Sequence, residues 1–415
     1  MALAGPVGGA AGQFLLSLLL VRQLAPAAFG RFSFLMVAIQ LAWGVWGALF
    51  CAPLPTLFAG LDRAGIAKVR TQIAAAHLPA LVLATGVVAL LGWGVGMDGP
   101  ATGVFAAFAA ASLVRWYARA EAYARGRQML TATSDGIYTV ILVAGVAAMA
   151  IGWARGLVAA GAILGWASAA SLMPFGAGFA RVQFVLPRWD AWRGYLTIWR
   201  DHARWALFGV ATTEATANAH AYCVTALMGP DAFAPIAAGA LAIRPVMVAM
   251  NALTDYERAR MAGAIAQGRI DTARSAVRFF RLVLIAIWVA TAVLLAGVLT
   301  VAPHVLFPHY PLAVVGSAAA AWMAVAAVRL ARMPESALLQ AGGAFRTLAL
   351  ASGWSSIASV AAVLVLIVAG GPLWSVLGVL AGELLFAVAI WRRAAAWLRE
   401  RDGAWTPATT LSPSR

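Results

Sequence analysis

Twelve apolar runs, each long enough for a helix to cross a hydrocarbon layer of roughly 30 Å, dominate this chain. They fall near residues 2–24, 32–55, 73–97, 101–119, 133–152, 157–180, 205–228, 233–254, 279–302, 312–331, 347–369 and 373–392. Breakers such as Pro26, Gly30, Pro100, Pro230, Pro308 and Pro372 punctuate the intervals. Soluble domains carry about 25% charged residues. Here 11% are charged and 63% are hydrophobic, a balance that suits lipid as solvent. Backbone groups in lipid must be satisfied within their own segment, so helices are predicted. The short alternating strands of a membrane barrel are absent. The expected fold class is therefore all-α integral membrane, with about twelve transmembrane helices.

The basic residues alternate from one connection to the next. Arg22, Arg31 and Arg155 are the only three in the odd-numbered connections, against 26 in the even-numbered ones and the tail, with Arg244 left inside a span. The positive-inside rule then predicts both termini in the cytoplasm. The net charge of +15 is accordingly a topology signal, and nucleic acid is dropped as a partner. An apolar stretch before Ala25-Pro26-Ala27 imitates a signal peptide, but no basic segment precedes it, so it is read as a permanent helix. Cys51 and Cys223 stand isolated in apolar runs, which predicts no disulfide, no metal site and no cofactor.

A shift of 204 residues lays Ala25-Pro26-Ala27-Ala28-Phe29 on Gly229-Pro230-Asp231-Ala232-Phe233, and Ala38-Ile39 on Ala242-Ile243. Both copies are turns between an outgoing and a returning helix. Six duplicated helices give two lobes related by a parallel repeat, an arrangement that places substrate between the halves. The expected units are a first lobe at 1–180, a linker at 181–204, a second lobe at 205–392 and a basic tail at 393–415. In the linker, Trp189, Trp192, Leu196 and Trp199 form an apolar stripe among Arg188, Arg193, Arg200 and Arg204, which predicts an amphipathic helix at the inner interface, tying the lobes together. The connectors Asp62 to Arg70 and Arg258 to Arg281 are expected on the same surface.

The run Val21-Arg-Gln-Leu-Ala-Pro-Ala-Ala-Phe-Gly-Arg-Phe-Ser-Phe-Leu35 resembles the first hairpin of O-antigen and exopolysaccharide flippases. These belong to the multidrug/oligosaccharidyl-lipid/polysaccharide exporter superfamily. Ala203-Arg-Trp-Ala-Leu207, Leu227-Met-Gly-Pro-Asp-Ala-Phe233 and Ile243-Arg-Pro245 are similar to the start of that family's helix seven, its next turn and its helix eight. The likeness extends over roughly residues 1–395. It implies a V-shaped, MATE-like, two-lobed fold in the bacterial inner membrane. It also implies export of an undecaprenyl-pyrophosphate-linked oligosaccharide for polysaccharide biosynthesis; a polymerase and glycosyltransferases are expected as working partners, and a monomer as the unit. The family pattern leads one to expect a basic, polar start ahead of helix one. This chain opens almost directly in that helix, which leaves a start codon upstream of Met1 open.

Ionisable groups inside spans are functional candidates by default. Glu214 and Arg244 lie 16 residues before and 14 residues after Pro230, so their depths differ by roughly 3 Å. Two compatible readings stand: Arg244 meets a translocating pyrophosphate in a bidentate fork, or it pairs with Glu214 to brace the lobe. Pro245 is expected to loosen the helix beside it. Glu383 is a candidate ion-coupling site or a hydrogen-bond partner of a hydroxyl within its lobe. Arg115 and Arg119 share a helix face and are candidates to receive phosphates at the inner leaflet, with Arg22 to hand them on. Interfacial anchoring is the alternative for all three. His77 and His220 are expected to be satisfied interior histidines.

Two other classes are weighed. A small-molecule antiporter of the MATE or major-facilitator type wants buried carboxylates in the first lobe, and spans one to three contain none; Asp135 is placed near a helix end. Gly60-Leu-Asp-Arg-Ala-Gly65 is only faintly similar to the major-facilitator loop signature. A membrane enzyme wants a large outer loop or a catalytic cluster, and neither is found, so the chain is not expected to be an enzyme.

Overall fold

The computed structural model describes residues 4–184, 189–301 and 303–404, so Arg188 and the tail beyond 404, with Arg415, lie outside the described residues. The first lobe contains α1 (Ala4–Gln23), α2 (Pro26–Trp46), α3 (Arg63–Gly94), α4 (Gly99–Ala124), α5 (Gln128–Ala150) and α6 (Gly156–Ala170). The second contains α7 (Arg204–Met228), a broken α8 (α8a, Pro230–Ala240; α8b, Arg244–Ala266), α9 (Ile270–Val301), α10 (Leu312–Ala341), α11 (Phe345–Gly370) and α12 (Ser375–Ala404). Among the described residues, ten helical segments are long and apolar enough to cross a membrane by length and composition. The remaining two of the twelve are α1 and α7, and α7 carries Glu214, Asn218 and His220 along its length.

The repeat is visible in how the helices begin and end. Pro26 opens α2 and Pro230 opens α8a, at the first helical position, where a missing N–H costs nothing. Gly126 after α4 and Gly343 after α10 adopt φ of 69° and 78°, a left-handed stop that suits glycine. At both stops the next N–H reaches back over the last turn, Arg127 to the carbonyl of Ala122 at 2.8 Å and Ala344 to that of Leu339 at 2.9 Å.

Several helices run further than expected at the arginine-rich end. Asp62 caps α3 by accepting from the Gly65 N–H at 2.8 Å, so Arg63 to Arg70 form its opening turns. Arg258 and Arg281 likewise lie within α8b and α9. These connectors are continuations of spans and not separate segments lying along a surface, which corrects the expectation above. The capping carboxylate and the helix-permissive residues around it favour propagation of an existing helix over a new nucleus.

The linker helix (Trp189–Ile198) is docked on the first lobe. Its buried face is Tyr195 and Ile198, flanked by the partly buried Trp192 and Trp199, whereas Trp189 and Leu196 are exposed. The predicted stripe is therefore split between two faces. The docking has a backbone cause. Pro53 has no N–H to give to the carbonyl of Leu49 four residues earlier, and α2 ends in a π-helical turn at Gly47–Cys51. The Tyr195 hydroxyl donates to that carbonyl instead, at 3.1 Å.

Apolar packing differs between the two ends of the helices. At the arginine-poor end a single core draws on both lobes, with Phe29, Phe32 and Phe105 from one and Phe233, Trp322 and Val363 from the other. At the arginine-rich end there are two separate cores. One is built on Trp46, Phe50 and Tyr117, the other on Met250, Phe280 and Leu338. The lobes thus share an apolar core at one end, whereas at the other each described core belongs to one lobe.

Candidate functional site

Between the lobes lies a cavity of about 740 Å³. Phe29 and Phe233, which coincide at the 204-residue shift, line it at the joined end, and both are buried. Towards the arginine-rich end its lining includes the exposed Val7, Pro245 and Asn251. Amides and hydroxyls reach it from four helices: Gln13 and Ser17 on α1, Ser33 and Gln40 on α2, Asn218 on α7 and Asn251 on α8b. Two guanidinium groups, Arg244 and Arg329, and the His220 ring add to the polar lining, and among the described residues no carboxylate lines the cavity.

Arg244 is placed by the break in α8. Pro245 supplies no N–H to Leu241, and the chain answers with a 3-10 turn at Leu241–Ile243 before α8b begins at Arg244. Three residues at 3.0 instead of 3.6 per turn advance the helix by roughly 60° beyond its α-helical phase. Arg244 thereby faces α1, where its Nη1 donates to Ser17 Oγ at 3.4 Å. The pairing with Glu214 that the depths allowed is not made. Glu214 accepts from Asn218 Nδ2 at 2.7 Å on its own helix and lies outside the cavity lining.

Glu383 has guanidinium partners in place of the expected hydroxyl. Its two oxygens accept from Arg329 Nε at 2.7 Å and Arg332 Nε at 2.9 Å, and it is 2% exposed. Both oxygens are engaged by fixed positive groups, and their combined charge repels any further cation. That geometry speaks against ion coupling at Glu383. It also adds Arg329 to the site. By hydropathy Arg329 and Arg332 fall in a connector, but α10 carries both well inside its 30 residues, one turn apart.

The first lobe holds a parallel device. Arg115 Nη2 lies 2.6 Å and Arg119 Nε 2.8 Å from Asp135 Oδ1, and Asp135 is buried. Arg115 also sits over the Tyr138 ring, 4.3 Å from its centroid. With Trp43 and Trp116, which stack at 5.8 Å, these residues line a side chamber of about 290 Å³. Gln13 and Ala10 line both chambers. Arg115 and Arg119 are thus interior and ion-paired, neither snorkelling nor free at a surface, because α5 brings Asp135 beside them. Arg22 is exposed outside the cavity lining, and its carbonyl accepts from His309 Nε2 at 3.1 Å.

His77 accepts from Trp46 Nε1 at 2.9 Å within the first-lobe core. His220 is buried edge-on against Trp322, with ring centroids 5.0 Å apart.

Among the described residues, twelve helices in two lobes about a central cavity define a multi-pass, all-helical membrane protein, and its fold is similar to that of solved transporters of the MOP superfamily. It is similar to an inward-facing MATE-family multidrug transporter of that superfamily, with a TM-score of 0.62, 13% identity, and 96% of each chain covered. It is also similar to the lipid II flippase MurJ in an inward closed conformation, with a TM-score of 0.67 and 10% identity over 94% of this chain and 86% of that one. The eukaryotic MATE transporter AtDTX14 superposes with a TM-score of 0.59 and 14% identity over 96% of both chains. No family model and no curated protein matches the chain.

Proposed function

We propose that the protein is a flippase that moves an anionic, lipid-linked oligosaccharide across the bacterial cytoplasmic membrane by alternating access. The observation that carries this reading is the cavity lining, with Arg244 and Arg329 as its charged groups and no carboxylate among its described residues. Such a surface attracts phosphate oxygens and repels cations. The surrounding amides and hydroxyls suit sugar hydroxyls, and the apolar wall suits the start of a lipid chain. The arginine-rich end is read as cytoplasmic, which makes this state open inwards and places both termini in the cytoplasm. Arg115 and Arg119 hold a net positive charge beside the route, since one Asp135 faces two arginines.

A small-molecule antiporter remains the second reading, favoured by the MATE likeness. It would use carboxylates to exchange ions, but Asp135 and Glu383 are each clamped by two arginines.

The test is a deletion strain scored for surface polysaccharide and for lipid-linked glycan accumulating inside. The flippase reading expects both defects to be reversed by the wild-type chain and not by Arg244→Ala. Normal polysaccharide in the deletion strain would remove the reading.

A further inference from the structure

We propose that the outer face of the second lobe carries a binding site for an anionic phospholipid, set between α11 and α12 and distinct from the central cavity. A groove of about 720 Å³ runs there, and it shares no lining residue with the cavity. Its rim at the arginine-rich end is formed by Arg346, Arg392 and Arg393, all exposed, and among the described residues no acidic residue lines it. Deeper along the helices its wall is apolar and uncovered: Leu350 is 58%, Trp354 74% and Leu385 54% exposed.

The two halves of this surface want different things. Three guanidinium groups held near one another repel, and phosphate oxygens relieve that repulsion while accepting their N–H donors. The apolar wall wants hydrocarbon. One molecule satisfies both at the depth where headgroup meets chain, namely a phospholipid with its phosphate at the rim and an acyl chain along Leu350 and Leu385. Three cationic groups match a headgroup with two phosphates better than one with a single phosphate. The first turn of α11 adds no opposing charge, and its cap residue, Ala344, offers no side-chain acceptor to its N–H groups.

The site is one helix away from the cavity. Ser356 Oγ lies 2.9 Å from Thr216 Oγ1 and donates to the carbonyl of Thr212 at 2.5 Å. These hydroxyls lock α11 to α7, whose Asn218 and His220 line the cavity. A lipid bound in the groove stiffens the outer support of that wall. The proposal requires only that the chain sits in a membrane, and it stands or falls independently of the substrate.

The experiment uses the full chain in nanodiscs of phosphatidylcholine, with cardiolipin as the added probe and its retention read by native mass spectrometry. The wild-type chain is expected to retain cardiolipin. Arg346→Gln with Arg392→Gln and Arg393→Gln should weaken binding roughly a hundredfold, at about fivefold per arginine near a charged headgroup. Arg392→Gln alone, at about fivefold, serves where the triple variant does not fold. Leu350→Asn with Leu385→Asn should also weaken it, with no change of charge. Equal retention by the charge variants would overturn the site. So would an equal loss in Arg63→Gln with Lys68→Gln, exposed at the same end of the first lobe, because bulk attraction would then explain the binding. Displacement by inorganic pyrophosphate at the same concentration as cardiolipin would reduce the groove to a plain anion site and overturn the lipid assignment.

Discussion

Gly30 of α2 sits on the main-chain carbonyl of Pro230, so closely that a Cβ at position 30 would collide with it. The same Cβ would press on Ala234, the residue that coincides with Gly30 at the 204-residue shift. The two repeats therefore meet through equivalent positions, and this contact seals the joined end of the lobes.

Enlarging position 30 should push that end apart. Overpacking costs about 1–3 kcal/mol, enough to change the ratio of two conformations about 5–150-fold. Gly30→Leu is expected to shift the population towards a state open at the arginine-poor end. Spin labels at Ala25→Cys and Asp231→Cys, with Cys51 and Cys223 replaced by serine, would report a longer distance. An unchanged distance distribution would show that the seal does not depend on this contact.

Arg244 is expected to act by shape as well as charge. A lysine keeps the charge but loses the planar fork. Loss of one charged hydrogen-bonding group costs about 1.5–3 kcal/mol. Arg244→Ala should lower transport of a pyrophosphate-linked substrate in proteoliposomes about 10–150-fold, with Arg244→Lys in between. If lysine and alanine transport as well as arginine, the guanidinium has no part in recognition.

The Glu383 cluster should behave as a buried ion pair. Removing one member leaves charge stranded, at about 3–5 kcal/mol. Glu383→Gln is expected to lower the melting temperature of the purified protein sharply. Combining it with Arg332→Met should recover part of the loss, since Arg332 otherwise rests over the Phe386 ring at 4.4 Å. A proton- or cation-coupling role would predict the reverse pattern, with stability kept and ion dependence lost.

Pro245 is expected to set the direction of Arg244 without holding the fold together. Pro245→Ala restores an N–H for Leu241 and removes the reason for the 3-10 turn. Stability should hold or rise, while transport falls as Arg244 rotates away from Ser17. A variant that transports normally would separate the kink from the site.

The helices were legible because lipid forces each span to show itself as an apolar run, and the repeat because both lobes open their second span with the same Pro-x-x-Phe turn. The break in α8 was legible too, since Pro245 has a local backbone effect. The ion clusters were not. Asp135 and Glu383 find their arginines across 16–54 residues of chain, and hydropathy assigns Arg329 and Arg332 to a connector because each charge ends an apolar window. Nothing in the periodicity of the linker separates the face that docks on the lobe from the face that stays exposed. That choice depends on an orphaned carbonyl at Leu49, which becomes visible only once α2 is seen to end in a π turn ahead of Pro53.

The uneven distribution of the three apolar cores has a thermodynamic consequence. To open at its arginine-poor end, the molecule must pull Phe29, Phe32 and Phe105 from Phe233 and Trp322, with no pre-existing shared core at the opposite end to take their place. Opening at that end therefore forfeits apolar burial that those side chains now have, and a state opened there must be stabilised by contacts formed elsewhere.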